Sequence, residues 1–110
     1  MKVEKNNNYT VILSDEETFS QFYKSFLIEN KKFQKENLII VISDSFTPSL
    51  KEFLLFSKIS EQKKESGRSF VIVNANIDID YFPDNFNIVP TLKEAEDVIE
   101  MEAIERELGF

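Results

Sequence analysis

Residues Leu38 to Ile42 read Leu-Ile-Ile-Val-Ile, an apolar run with no polar residue inside it. A strand sends successive side chains to opposite faces, so such a run is apolar on both faces and needs a covering layer on each. In a chain of 110 residues, helices packed on a mostly parallel sheet meet that need. The run passes into Ser-Asp-Ser-Phe-Thr-Pro-Ser at residues 43–49. Thr47 suits a helix N-cap and Pro48 the first helical position, and Gly67 suits the left-handed residue that ends the helix. That helix carries Leu50, Phe53 and Leu54 on one face. Leu55, Phe56 and Ile59 widen its apolar surface beyond one stripe, which implies a second packing layer or a partner.

The neighbouring segments extend the pattern. Val3 and the run Tyr9 to Leu13 flank the turn-prone Asn6-Asn7-Asn8, predicting an N-terminal hairpin. Ser14 with Glu17 three residues on reads as a capping box, reinforced by Asp15 and Glu16, and starts a helix to about Lys32. In that helix Phe19, Phe22, Tyr23, Phe26 and Leu27 share one face. Ser69 to Val73 is a second buried strand. Residues 74 to 89 are irregular, with a short strand at Asn87 to Val89. Thr91, with Glu94 three residues on, caps a last helix to about Leu108. The expected fold class is therefore α/β: one domain over residues 1–110, with a mixed, mostly parallel sheet and an antiparallel N-terminal edge strand.

Composition removes several chemistries. The chain has no Cys and no His, so a Ser-His-Asp triad, a Cys nucleophile and a Cys/His zinc site are all impossible within it. Its formal charge of −7 repels phosphate backbones and anionic membranes. No cofactor, nucleic acid or membrane is expected, and neither GxGxxG nor a Walker pattern occurs. No apolar run approaches the ~20 residues of a membrane helix and the charged N-terminus lacks a signal-peptide core, so a soluble, cytoplasmic protein is expected.

With NLIIVISD as a central strand, Gly67 leading into SFVIVN, and NIVPTLKEAEDVI as closing strand and helix, nearly the whole chain resembles the STAS domain of bacterial anti-sigma factor antagonists. The resemblance implies a non-enzymatic regulatory domain that binds a protein, such as an anti-sigma factor with serine kinase activity. It also implies phosphorylation of a Ser or Thr at the start of the helix after the central strand. Alignment on Leu50 puts Thr47 at that position, with Phe46, Pro48 and Ser49 where the family usually has Asp, a second hydroxyl residue and Gly.

Each candidate site has two readings. Ser45, Thr47 and Ser49 are regulatory positions, or a helix cap flanked by solvated turn residues. Tyr81, Phe82 and Phe86 pack in the core, or form a partner-facing aromatic patch, and Phe56 and Ile59 are separate candidates for partner binding. Asp78, Asp80 and Asp84 lack the spacing, glycine and closing glutamate of a calcium loop. In the last helix Leu92, Ala95, Ile99 and Ala103 share one face, while Met101, Ile104 and Leu108 project from nearly the opposite side. Either that helix bends near Glu100, or its end and Phe110 meet another subunit in a homodimer. Its seven acids from Glu94 to Glu107 form a solvated face or dock a basic partner. A small-ligand or nucleotide module and a structural oligomerisation domain are the alternatives to the regulatory reading.

Overall fold

A computed structural model describes residues 1–43, 46, 48–78, 80, 82–83 and 86–109. Of the residues singled out above, Asp44, Ser45, Thr47, Tyr81, Asp84 and Phe110 lie outside them. Among the described residues, five strands form one sheet in the order β1 (Lys2–Lys5), β2 (Thr10–Leu13), β3 (Leu38–Val41), β4 (Phe70–Val73) and β5 (Ile88–Val89). The β1–β2 pair is antiparallel and the remaining pairs are parallel. The α/β architecture with its antiparallel edge is thus as expected. The hairpin turns on Asn6, whose side-chain carbonyl accepts from the amides of Asn8 and Tyr9 at 2.8 and 2.9 Å. All of β1 is exposed, and charged Lys2, Glu4 and Lys5 along that open edge disfavour pairing with another strand.

The steps β2 to β3 and β3 to β4 run the same way across the sheet. Right-handed crossovers therefore put both connections on one face. The first holds α1 (Phe19–Glu29), and the second holds α2 (Leu50–Phe53) and α3 (Ser57–Glu65). Their Phe22, Phe26, Phe53 and Phe56 pack against Ile12, Leu38, Ile40 and Ile72. On the opposite face α4 (Leu92–Glu107) lays Ala95 and Ile99 on Val11, Ile39, Val71 and Val73. Ile39 and Ile40 point to opposite cores, and both are fully buried. The apolar run is the sheet's two-sided centre.

Several local expectations are corrected. Ser14 does not cap α1. Its amide donates to the Val41 carbonyl at 3.0 Å and its hydroxyl accepts from the Ser43 amide at 2.7 Å, so it ties β2 to β3. Thr18 is the cap, accepting from the Gln21 amide at 3.2 Å. The helix gives way to a 3-10 helix at Asn30–Phe33, which turns Phe33 inward, while Leu27 is exposed.

The expected helix from Pro48 onward is also divided. A 3-10 helix at Leu54–Phe56 joins α2 to α3. Three residues per turn bring positions three apart into line, and the buried side chains here are Phe53, Phe56 and Ile59. The tighter winding turns a surface too wide for one helical stripe into a single inward row. It leaves Leu50 and Leu55 exposed and Leu54 half-buried. Phe56 and Ile59, read from the sequence as partner-facing, are core residues. Gly67, at φ 73°, ends α3 in the left-handed conformation as expected.

The cap of α2 is Ser49, with Pro48 buried just before it. The Ser49 hydroxyl accepts from the Glu52 amide at 3.1 Å, and the Glu52 carboxylate accepts from the Ser49 amide at 3.0 Å. This reciprocal box uses the hydroxyl that was read as solvated. Ser49→Ala is expected to cost about 1 kcal/mol, seen as a lower urea midpoint at unchanged slope.

Candidate functional site

At the carboxyl ends of β3 and β4 the chain forms a cleft of about 240 Å³ lined by Pro48, Leu50, Phe53, Asn74, Ile77 and Phe82, among others. Open parallel sheets bind ligands at this end. Asn74 organises it: buried directly after β4, it donates to the Ile42 carbonyl at 3.2 Å and accepts from the Asn76 amide at 3.0 Å. One side chain thus fastens β3 to β4 and sets the turn that follows. Asp78 repeats the turn device, accepting from the Asp80 amide at 3.1 Å. That local bond is what the described aspartates do, and among the described residues no group of three His, Cys, Asp or Glu side chains is placed to hold a metal ion.

The aromatic residues divide. Phe82 stacks on Phe86 at 5.6 Å and meets the edge of Phe53 at 5.6 Å. Both are half-buried and packed against the first core, so they support the cleft wall while keeping an exposed rim. Ser49, at the start of α2, and Phe82 lie at this same end of the sheet. Met101, Ile104 and Leu108 lie elsewhere, on the outer face of α4, each more than half exposed. Ala95 and Ile99 are buried as expected, whereas Leu92 is 41% exposed.

The amino ends of the strands hold a polar network that sequence reading missed. Asn37, Ser69 and Asn87 each stand immediately before a strand. The Ser69 hydroxyl donates to Glu102 Oε1 at 2.6 Å, and Asn87 Nδ2 donates to Glu102 Oε2 at 2.8 Å. Arg106 reaches the Ser69 oxygen at 3.4 and 3.5 Å. Asn37 accepts from the Ser69 amide at 2.8 Å and donates to the Asn8 carbonyl at 3.0 Å. The network fastens the second half of α4, which shows little apolar inner surface, to the bottom of the sheet. Its signal was a polar residue preceding each apolar run, with Glu102 and Arg106 one helical turn apart.

Two ionisable groups here are perturbed. Lys63 is 4% exposed, and its amine donates to the carbonyls of Phe33 and, at 2.7 Å, Glu36. Burial lowers its pKa to about 8, with the Glu36 carboxylate pulling it up and Arg68 pushing it down. Tyr9 donates to Glu96 Oε1 at 2.7 Å, and that bond, helped by burial, raises the pKa of its hydroxyl. Beside Tyr9 runs a groove of about 490 Å³ between the hairpin turn and α4. Among the described residues, no helix is long and apolar enough to cross a membrane.

Comparison of the chain with protein-family models finds none that matches, and comparison with curated proteins finds no match either.

Proposed function

We propose that the chain is a non-enzymatic regulatory domain of the STAS type that binds a partner protein at the carboxyl-end cleft. The observation that carries this reading is the apolar lining of that cleft. Leu50 is 42% exposed, half-buried Ile77 and Phe82 line the same cleft, and Ser49 stands between its lining residues Pro48 and Leu50. At about 240 Å³ the cleft is small for a drug-sized ligand, whose pockets span roughly 300–1,000 Å³, and this favours a protein side chain over a nucleotide as occupant. The strand and helix order, with an antiparallel first strand, supports the resemblance.

The resemblance assigns the switch to Thr47. A phosphate there adds roughly −1.5 to −2 charge and weakens docking of an acidic surface. Phosphorylation of Ser49 fits the switch less well, because its amide already donates to the Glu52 carboxylate and a phosphate would compete with that carboxylate and break the box. In a pull-down from native extract, Thr47→Asp and Leu50→Asp are each expected to lower recovery of the bound partner about tenfold, with Thr47→Ala unchanged. Phosphopeptide mass spectrometry should place phosphate at Thr47. Equal recovery by all the variants, with no phosphate on residues 45–49, would overturn the reading.

A further inference from the structure

We propose that the outer face of α4, with the groove beside it, docks a basic amphipathic helix of a partner protein. This surface is separate from the carboxyl-end cleft and does not depend on it. Met101, Ile104 and Leu108 are 61%, 56% and 67% exposed. At 100° per residue they form one row along the helix, opposite the Ala95 and Ile99 face that α4 buries on the sheet. The fold already has its inner face, so the outer row is apolar surface left more than half exposed.

Carboxylates bracket the row. Helical geometry puts Glu100 and Glu107 along one side and Glu105 along the other, and none of the three is in a salt bridge among the described residues. The two bases of α4 offset them only in part, with Lys93 close enough to feel the charges of Glu96 and Glu100. Arg106 is turned to Ser69, and Lys93 is paired with Asp97 at 3.0 Å near the start of the helix. The adjoining groove repeats the combination, with Ile99, Ala103 and Ile104 as its apolar lining and Glu96 and Glu100 along it.

Charge decides the occupant. A second copy would set α4 and its unbalanced carboxylates against the same carboxylates in a chain of net charge −7. An anionic membrane is repelled in the same way. A helix with apolar residues at i, i+3 and i+7 and Lys or Arg on both flanks complements both the row and its borders. Long basic side chains also cover apolar surface with their methylene stems while their charged ends reach the carboxylates.

The test uses the full chain and a fluorescent peptide of about 18 residues, enough for five helical turns, made of Leu at one-face spacing and Lys elsewhere. A scrambled peptide of the same composition is the control. Anisotropy is expected to show the ordered peptide binding at least about tenfold tighter than the scrambled one. Met101→Ser/Ile104→Ser and Glu100→Gln/Glu105→Gln should each remove about tenfold, and Glu61→Gln/Glu65→Gln on α3 should change little. Raising salt from about 50 to about 500 mM should weaken binding of the parent more than of the Glu100/Glu105 variant. Equal binding of ordered and scrambled peptides would overturn the proposal, as would an equal loss from the α3 variant. Concentration-dependent mass in sedimentation that Met101→Ser/Ile104→Ser abolishes would also overturn it, by assigning the face to a second copy.

Discussion

Phe56→Ala is expected to destabilise the domain by about 3–5 kcal/mol. The ring is fully buried and lies at the centre of the aromatic core. It meets Tyr23 at 5.3 Å, Phe26 at 5.7 Å, and Phe19 and Phe70 at 5.9 Å each. Truncation removes the buried apolar area, leaves a cavity that four rigid rings cannot collapse into, and ends several edge-to-face contacts. Domains of this size have only about 5–15 kcal/mol of stability, so the loss is a large share of the total. Phe56→Leu, which keeps part of the volume, is expected to lose about 2 kcal/mol and keep a complete unfolding transition. Urea denaturation followed by circular dichroism checks both. If Phe56 faced a partner instead of this core, either substitution would move stability by less than about 0.5 kcal/mol, and that result would contradict the packing described here.

Phe56 also shows how far the sequence could be read. Strands were legible because the patterns at Leu38–Val41 and Phe70–Val73 follow from burial on both faces, which no change of register can hide. The last helix was legible because Thr91 accepts from the Glu94 amide at 3.2 Å, a local bond visible in local sequence. The start of α1 was not. Ser14 has the right chemistry for a cap, but its hydroxyl is taken by Ser43, twenty-nine residues away. The 3-10 helices were hidden for a similar reason. A sequence read at 3.6 residues per turn spreads Phe53, Phe56 and Ile59 over about 120° of helix surface, whereas the tighter winding seen in the fold draws them into one row against the core. At the carboxyl end, the identity of the junction was legible from the strand-to-helix order, and Ser49 with Glu52 three residues on carries the same local signature, in competition with the alternative start at Thr47-Pro48.

Lys63→Met removes a buried charge as well as two hydrogen bonds, effects that oppose each other at pH 7, and its stability relative to the parent is expected to fall as pH rises. Methionine keeps most of the buried stem but supplies no donor. The Phe33 and Glu36 carbonyls, which the amine holds where the 3-10 helix after α1 ends, would lose that partner. Unsatisfied carbonyls cost about 1–3 kcal/mol each when dry, and the adjacent hollow of about 260 Å³ lets water recover part of this. The pH dependence follows from burial, which takes the folded pKa from the ordinary 10.5 to about 8. Below pH 8 both states carry the proton and the effect is constant. Between pH 8 and 10.5 the unfolded chain binds more protons than the folded one, so the parent gains stability as pH rises. The neutral amine still has two hydrogens for two carbonyls, so neither bond need be lost on deprotonation. By about pH 9.5 the parent should have gained roughly 2 kcal/mol from this group, while the methionine side chain of the variant, which does not titrate, contributes no such change. Paired urea titrations at about pH 7 and about pH 9.5 measure the difference directly, and groups common to both proteins cancel in it. A stability of the variant relative to the parent that stays constant or rises between those pH values would mean that Lys63 keeps its proton in the fold, held there by the two carbonyls and Glu36 against the effect of burial.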